Sequence, residues 1–254
     1  MKNIVKISII TVCFNSLNYI EYCIKSVISQ TYNNIEYIII DGGSDDGTKD
    51  IIQKYDYVID RWISEKDSGI SEAMNKGLSF CSGDYILFLH SDDYLLSTDS
   101  IKNAVNSMEL NYDINAFSVL YGNETKYFKK NSKPFSFKTF FKTPIMHQGA
   151  FCKQSIFEKI GLFDESFKIT MDYDFFLRAY LSGCSLNCMS DPISFMRDTG
   201  ISSKKEWNNL KTRFFEERRV HFKNIKNKKM IYIYKLYWPL YLSYRFIKKL
   251  LSNL

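Results

Sequence analysis

The chain has 254 residues, 45% of them hydrophobic and 16% aromatic, which excludes a disordered chain and suffices for one large α/β domain or two modest ones. Its formal charge of +6 is uneven: residues 203–254 carry 14 Lys/Arg against 3 Asp/Glu, or +11, which leaves 20 against 25, or −5, on residues 1–202. An acidic body with a basic tail points to two roles on one chain, and the acidic part argues against nucleic acid as a partner because it repels phosphates unless a cation intervenes.

Residues 6–12 form a near-continuous β-branched run, the pattern of a strand buried on both faces. The run is short and lacks a small-residue cleavage site, so it reads as a first core strand and not as a secretory signal. Ile20, Ile24, Val27 and Ile28 then mark one helical face within residues 17–30. A second strand, residues 35–41, leads into Gly42-Gly43-Ser44-Asp45-Asp46-Gly47-Thr48, with Asp46 or Thr48 as cap of the next helix. A third strand is expected over residues 57–63, a helix over 70–80, and a fourth strand over 84–90 that ends at Ser91-Asp92-Asp93. Such alternation predicts a mostly parallel sheet with helices on both faces, and ligands gather at the carboxyl ends of its strands. Each polar cluster just named sits at such an end.

Beyond residue 95 the pattern loosens. A strand is expected over residues 115–122, an irregular Phe-rich stretch over 129–143, a strand over 147–152 and a short helix over 154–160 closed by Gly161. Helices follow over residues 171–181, 206–222 and 230–251. The last pairs Lys and Arg with Tyr232, Tyr234, Tyr237, Trp238, Tyr241, Tyr244 and Phe246, a composition suited to an anionic lipid surface. The competing reading makes these aromatics a core against the catalytic body or a second copy of the chain. Lys235 and Pro239 interrupt the longest apolar run, and a spanning helix needs about 20 apolar residues, so peripheral attachment is expected. The six cysteines show no Cys-x-x-Cys spacing and His90, His147 and His221 are scattered, which fits reduced core thiols in a cytoplasmic protein and no zinc site.

Two adjacent carboxylates, Asp92 and Asp93, repel one another at a strand end. A hard divalent cation bridging them to phosphate relieves that repulsion; a solvated capping turn does so too. Asp41 with Gly42 and Gly43 offers either an acceptor for a nucleobase or ribose with close backbone approach, or an ordinary strand-to-helix turn. Asp67 and Asn75 lie on a third loop–helix unit and either face a nucleotide or serve as cap and surface. Asp172, in the first turn of a helix, suits the macrodipole and, if turned to the cleft, a general base. His147 and Gln148 precede an apolar segment, and the loop Arg197-Asp198-Thr199-Gly200-Ile201-Ser202 offers a guanidinium to phosphate. Neither Gly-x-Gly-x-x-Gly nor a Walker element is present.

Together these strings resemble family 2 of the inverting glycosyltransferases with the GT-A fold, as found in bacterial envelope-polysaccharide synthesis. The resemblance is carried by Ser8-Ile-Ile-Thr-Val-Cys-Phe-Asn15, Ser29-Gln-Thr-Tyr32, Ile38-Ile-Ile-Asp-Gly-Gly-Ser-Asp-Asp-Gly-Thr48, Ser64-Glu-Lys-Asp-Ser-Gly69, Asn75-Lys-Gly77, the run from Gly83 to Asp93, residues 147–163, and Met171-Asp-Tyr-Asp-Phe-Phe-Leu-Arg178. It implies a Rossmann-like α/β domain with a nucleotide-sugar half over residues 1–95, an acceptor half over 96–203 and a helical tail over 204–254. It further implies that Thr11, Val12, Phe14, Asn15, Asp41, Gly42, Asp67, Asn75 and Ser91 line the nucleotide pocket. Asp93 would ligate Mn2+ or Mg2+, Asp92 would reach ribose or donor sugar, and Asp172 would be the base of an inverting transfer. His147, Gln148 and Arg197 are expected near the acceptor or donor sugar. The implied donor is a UDP-, dTDP- or GDP-sugar and the acceptor a glycan or lipid-linked sugar on the inner membrane face. Two positions depart from the family pattern: Gly42 stands where many members have Asp, and Met171 where Glu is common. A pyrophosphorylase would need a Gly-rich, Arg-containing amino-terminal loop that is missing. A non-catalytic nucleotide-sugar-binding module or membrane scaffold would tolerate the loss of Asp93 or Asp172, and both are present.

Overall fold

Strand β1 (Ile7–Cys13) is buried along its whole length, as its unbroken β-branched run requires. The computed structural model describes residues 5–200, 203 and 206–252, with side chains up to residue 245, so Ile201, Ser202 and the Phe246 side chain lie outside the described residues. The elements that follow are α1 (Ile20–Ile28), β2 (Ile35–Asp41), α2 (Thr48–Lys54), β3 (Arg61–Ser64), α3 (Ile70–Phe80) and β4 (Tyr85–Phe88). Next come β5 (Tyr94–Leu95), α4 (Ser100–Ser107), β6 (Ile114–Gly122), β7 (Tyr127–Lys130), β8 (Ala150–Lys153), α5 (Gln154–Ile160), α6 (Met171–Leu181) and β9 (Leu186–Arg197). Helices α7 (Trp207–Asn224) and α8 (Lys228–Ser252) end the chain.

One sheet runs in the order β3-β2-β1-β4-β8-β6-β9-β5, with β7 paired to β6 beyond β8. Strands β3, β2, β1 and β4 are mutually parallel, so their carboxyl ends share one edge. β8 joins β4 and β6 in antiparallel pairing, while β6 and β9 are parallel with a bulge near Pro192. Strand parity divides the core. Ile10, Val12, Ile38, Ile40 and Phe88 pack toward α3, α5 and α6, while Ile7, Ile9, Cys13, Ile39 and Leu87 pack toward α1 and α4. Gly77 lets α3 ride close over β1, since a Cβ there would stand 2.5 Å from Ile10 Cγ2.

Three sequence expectations change. The third strand is shorter: residues 56–58 form a 3-10 turn with Tyr57 exposed, and pairing starts only at Arg61. Residues 147–152 divide into a 3-10 turn over His147–Gly149 and strand β8. The tail helices build a third core of Phe214, Met230, Tyr234 and Trp238 against Phe140 and Phe141, so the aromatics of one α8 face are packing residues.

Candidate active site

The carboxyl ends of β1, β2 and β3 are tied together by side chains from the loops that leave them. Asp41, the last residue of β2, is fully buried. Its Oδ2 accepts from the N–H groups of Gly43 (3.2 Å) and Ser44 (3.0 Å) and from Ser64 Oγ (2.6 Å). Its Oδ1 accepts from Ser44 Oγ and from Cys13 Sγ at 3.5 Å. In this conformation Asp41 therefore holds the loop in shape and turns no bare oxygen outward. The acidic group left at the rim is Asp67, whose Oδ1 accepts from Gly69 N–H at 2.9 Å. A Cβ on residue 42 would stand 2.7 Å from Asp67 Oδ2, so Gly42 is what lets Asp67 close on the strand end. Partial burial pushes the Asp67 carboxyl up.

Asn15 adopts a left-handed φ of 48° and stitches the first two loops: its N–H donates to Ser44 Oγ at 2.8 Å and its Oδ1 accepts from Asp45 N–H at 3.1 Å. Beside it the Phe14 ring stands 63% exposed, a large apolar face at a polar rim. Three pocket expectations need correction. Thr11 points into the core, where its hydroxyl meets Tyr37 Oη (3.2 Å) and Cys23 Sγ (3.7 Å), because strand parity sends it to the α1 layer. Val12 is buried in the opposite layer, and what it brings to the strand end is a carbonyl that accepts from Ser91 N–H at 3.2 Å. Asn75 is likewise a clamp: its amide donates to Phe163 O and Glu165 Oε1, both at 2.9 Å, and accepts from Phe163 N–H at 3.0 Å. Those bonds occupy it against the segment before α6.

Beyond β4, Ser91 Oγ meets Ser16 Oγ at 2.8 Å and binds this strand end to the β1 loop. Asp93 is buried; its Oδ1 accepts from Arg197 N–H at 3.1 Å and its Oδ2 has no partner. Burial first, and the neighbouring Asp92 charge second, push the Asp93 carboxyl well above the usual carboxylate range. Gln148 lies near enough to oppose that rise, but no hydrogen bond of good geometry joins it to Oδ2. Asp92 accepts from Thr199 Oγ1 at 3.0 Å. The Arg197 guanidinium donates to the Asp92 carbonyl (2.7 Å) and sits over the rings of Tyr19, Tyr22 and Tyr94, so it braces the acidic turn from behind.

Facing this turn is the 3-10 segment with His147 and Gln148. The His90 and His147 rings meet edge to face with centroids 4.7 Å apart. His147 Nδ1 lies 3.6 Å from Oδ2 of Asp172, in the first turn of α6. Among the described residues, the buried side-chain atoms without a hydrogen-bond partner are His90 Nδ1, Asp93 Oδ2, His147 Nε2 and Gln148 Oε1. All belong to this one neighbourhood. Buried polar atoms are nearly always paired, so such a concentration marks where ordered water, an ion or a ligand supplies the missing partners. In the sequence His90 is one of three scattered histidines and the last residue of the predicted fourth strand, and its one signal is its position two residues before Asp92.

Among the described residues no group of three or more His, Cys, Asp or Glu forms a metal cage. The bare Asp93 Oδ2, with the Asp92 carboxylate beside it in sequence, instead fits a hard cation that takes its remaining oxygens from a phosphate-bearing ligand.

Comparison with known proteins gives the family and the fold. The sequence profile of glycosyl transferase family 2 matches residues 8–176. An uncharacterized glycosyltransferase of Mycobacterium tuberculosis is 32% identical over 210 residues, covering 79% of this chain and 78% of that protein. Among solved structures, S. aureus TarS in complex with UDP-GlcNAc superposes with a TM-score of 0.67 at 21% identity, over 87% of this chain and 67% of that one. A mannosyltransferase from Pyrobaculum calidifontis, solved with GDP-Man and Mn2+, gives a TM-score of 0.67 at 16% identity, over 92% and 70% of the two chains.

Proposed function

This chain belongs to glycosyl transferase family 2 and is a glycosyltransferase with the GT-A fold, and from that premise we propose a metal-dependent, inverting transfer of a sugar from a nucleoside-diphosphate donor to an acceptor hydroxyl. The observation that carries the reading is the bare, buried Asp93 Oδ2 on a turn whose neighbours His90 and His147 lead to Asp172. The nucleotide lies over the ends of β1 to β3, with Phe14 and Asp67 at the rim and the Asn15–Ser44–Asp41 network fixing the loops. The diphosphate lies toward Asp92 and Asp93, whose strand is separated from β2 by β1 alone, about 10 Å away at ordinary strand spacing. Asp93 would hold a divalent cation, Mn2+ or Mg2+, which when bound would supply charge neutralisation to the departing diphosphate. Asp172 accepts the proton of the acceptor hydroxyl. The freed oxygen then attacks the anomeric carbon from the face opposite the diphosphate; the C–O bond to phosphate breaks and the configuration inverts.

The bound UDP-GlcNAc and GDP-Man of the two structural neighbours support a UDP-, dTDP- or GDP-sugar as donor. A panel of such donors with Mn2+ and Mg2+ tests this. At least one is expected to release nucleoside diphosphate and, at about 100-fold its dissociation constant, to stabilise the fold by about 2.7 kcal/mol. If no donor binds or turns over with either metal, the reading fails.

The acceptor is a lipid-linked or envelope glycan at the inner face of the membrane, approached by a peripherally attached enzyme. Supporting this, α8 buries Tyr234 and Trp238 while Tyr232, Leu236, Leu240 and Tyr244, one turn apart, form an exposed stripe flanked by Lys228, Lys229 and Lys235. Leu240 is 72% exposed. No helix among the described residues is long and apolar enough to cross a membrane. The charge of the tail favours an anionic surface over a second, equally basic tail. Removing the whole tail would also remove core packing, so the test replaces Leu236 and Leu240 by Glu. Co-sedimentation with phosphatidylglycerol vesicles should fall at least about tenfold, given ~1.5–3 kcal/mol per buried leucine, with donor turnover retained. Equal sedimentation of both proteins would contradict membrane attachment.

A further inference from the structure

Helix α7 packs on α6 and on the segment that enters it. Glu216 is buried, and its carboxylate accepts from three consecutive backbone N–H groups: Lys168 (2.8 Å), Ile169 (2.9 Å) and Thr170 (3.0 Å). The Thr170 hydroxyl adds a bond at 3.3 Å. Three residues on, Tyr173 Oη meets His221 Nε2 at 2.9 Å and lies 3.2 Å from the Thr139 carbonyl. The Trp238 indole N–H donates to His221 Nδ1 at 3.1 Å, which puts the ring proton of the neutral imidazole on Nε2. His221 therefore donates to Tyr173, and Tyr173 donates to Thr139. The next residue, Asp174, is fully buried and accepts from Asn224 (2.8 Å) and Lys223 (3.1 Å) of α7 as well as from Arg178 (2.8 Å).

Residues 168, 169, 170, 173 and 174 are thus bonded to α7, whereas Asp172, between them, is turned toward His147. We infer that α7 sets the position of the base, with Glu216 and His221 as positioning residues that act through Asp172. The inference rests on Asp172 being that base. Its physical content is that a carboxylate gripping three N–H groups fixes the chain entering α6, while the His221–Tyr173 bond fixes the rotation of the first turn. Together they hold the Asp172 side chain at the cleft edge. An error of about 1 Å in such a group can lower the rate by ~10²-fold.

A double-mutant cycle separates positioning from general support of the fold. Glu216→Gln keeps the shape but places an NH2 group among N–H donors. In the otherwise native protein it should lower kcat about 10- to 100-fold with donor KM changed less than about twofold. In an Asp172→Asn background the same change should lower the residual rate by less than about twofold, because the group it positions is already gone. An equal loss in both backgrounds overturns the inference while leaving Asp172 as base. Full activity of Asp172→Asn alone overturns the base assignment itself. Should Glu216→Gln fail to fold, Tyr173→Phe, which removes only the hydroxyl linked to His221, carries the same cycle with the same two decisive outcomes.

Discussion

Replacing Asp172 by Asn should lower the transfer rate by ~10²–10⁴-fold while leaving donor affinity within about twofold. The carboxylate stands in the first turn of α6, where Oδ1 accepts from Tyr173 N–H at 2.7 Å and Oδ2 lies 3.6 Å from His147 Nδ1. Asparagine preserves the first contact and the local packing, but its amide cannot take up a proton from an acceptor hydroxyl. The proposed donor site, over the ends of β1 to β3, shares no hydrogen bond with Asp172 among the described residues. Steady-state kinetics at saturating acceptor, with donor affinity measured by calorimetry, separates the two quantities. A variant with near-native kcat would remove Asp172 from the mechanism; a variant with lost donor binding would make it a binding residue instead.

Replacing Asp93 by Asn should have the opposite signature, a loss of donor binding and turnover accompanied by unchanged or raised stability. Removing one preorganised electrostatic contact of this kind lowers rates by ~10²–10³-fold, and added Mn2+ should not restore activity. The stability sign follows from linkage. Burial and Asp92 raise the folded-state pKa of Asp93, so ionising it at neutral pH opposes folding. That penalty sets in as pH rises above the ordinary carboxylate pKa. Asparagine carries no such penalty and retains an oxygen for Arg197 N–H. For a chain of this size each kcal/mol relieved raises Tm by about 2–4 °C. A clear fall in Tm at neutral pH would mean that the carboxylate is a structural support.

The two variants probe the acidic turn after β4 and the first turn of α6, and the sequence showed the surrounding elements unequally. The apolar runs of β1, β2 and β4 were readable because a doubly covered strand needs apolar residues at nearly every position. The polar strings that follow them were readable for the complementary reason, since parallel strands ending on one edge leave their loops together. By contrast, β9 contains Asn187, Ser190, Asp191 and Pro192, a composition that argues for a loop. It is a strand because β6 supplies a parallel partner along most of its length, which local pattern does not reveal.

Side-chain direction was the harder part of the site. Thr11 and Asn75 sit on strings that match the family, yet one faces the α1 layer and the other clamps residues 163–165, a partner 88 residues away in sequence for Phe163. The reach of Gly42 toward Asp67 was equally invisible: the glycine that stands where many relatives have Asp leaves room for a different carboxylate to approach. Nothing in the sequence marks Glu216 among the three acids and fourteen basic residues of residues 203–254, and only the fold shows three backbone N–H groups converging on it.

The most direct measurement is an anomalous-difference map from crystals grown with Mn2+ and whichever nucleoside diphosphate the donor panel selects. A peak about 2.1 Å from Asp93 Oδ2, shared with phosphate oxygens and lost in Asp93→Asn, is the expected result. Density for the nucleotide over the ends of β1 to β3 with no manganese at Asp93 would contradict the account.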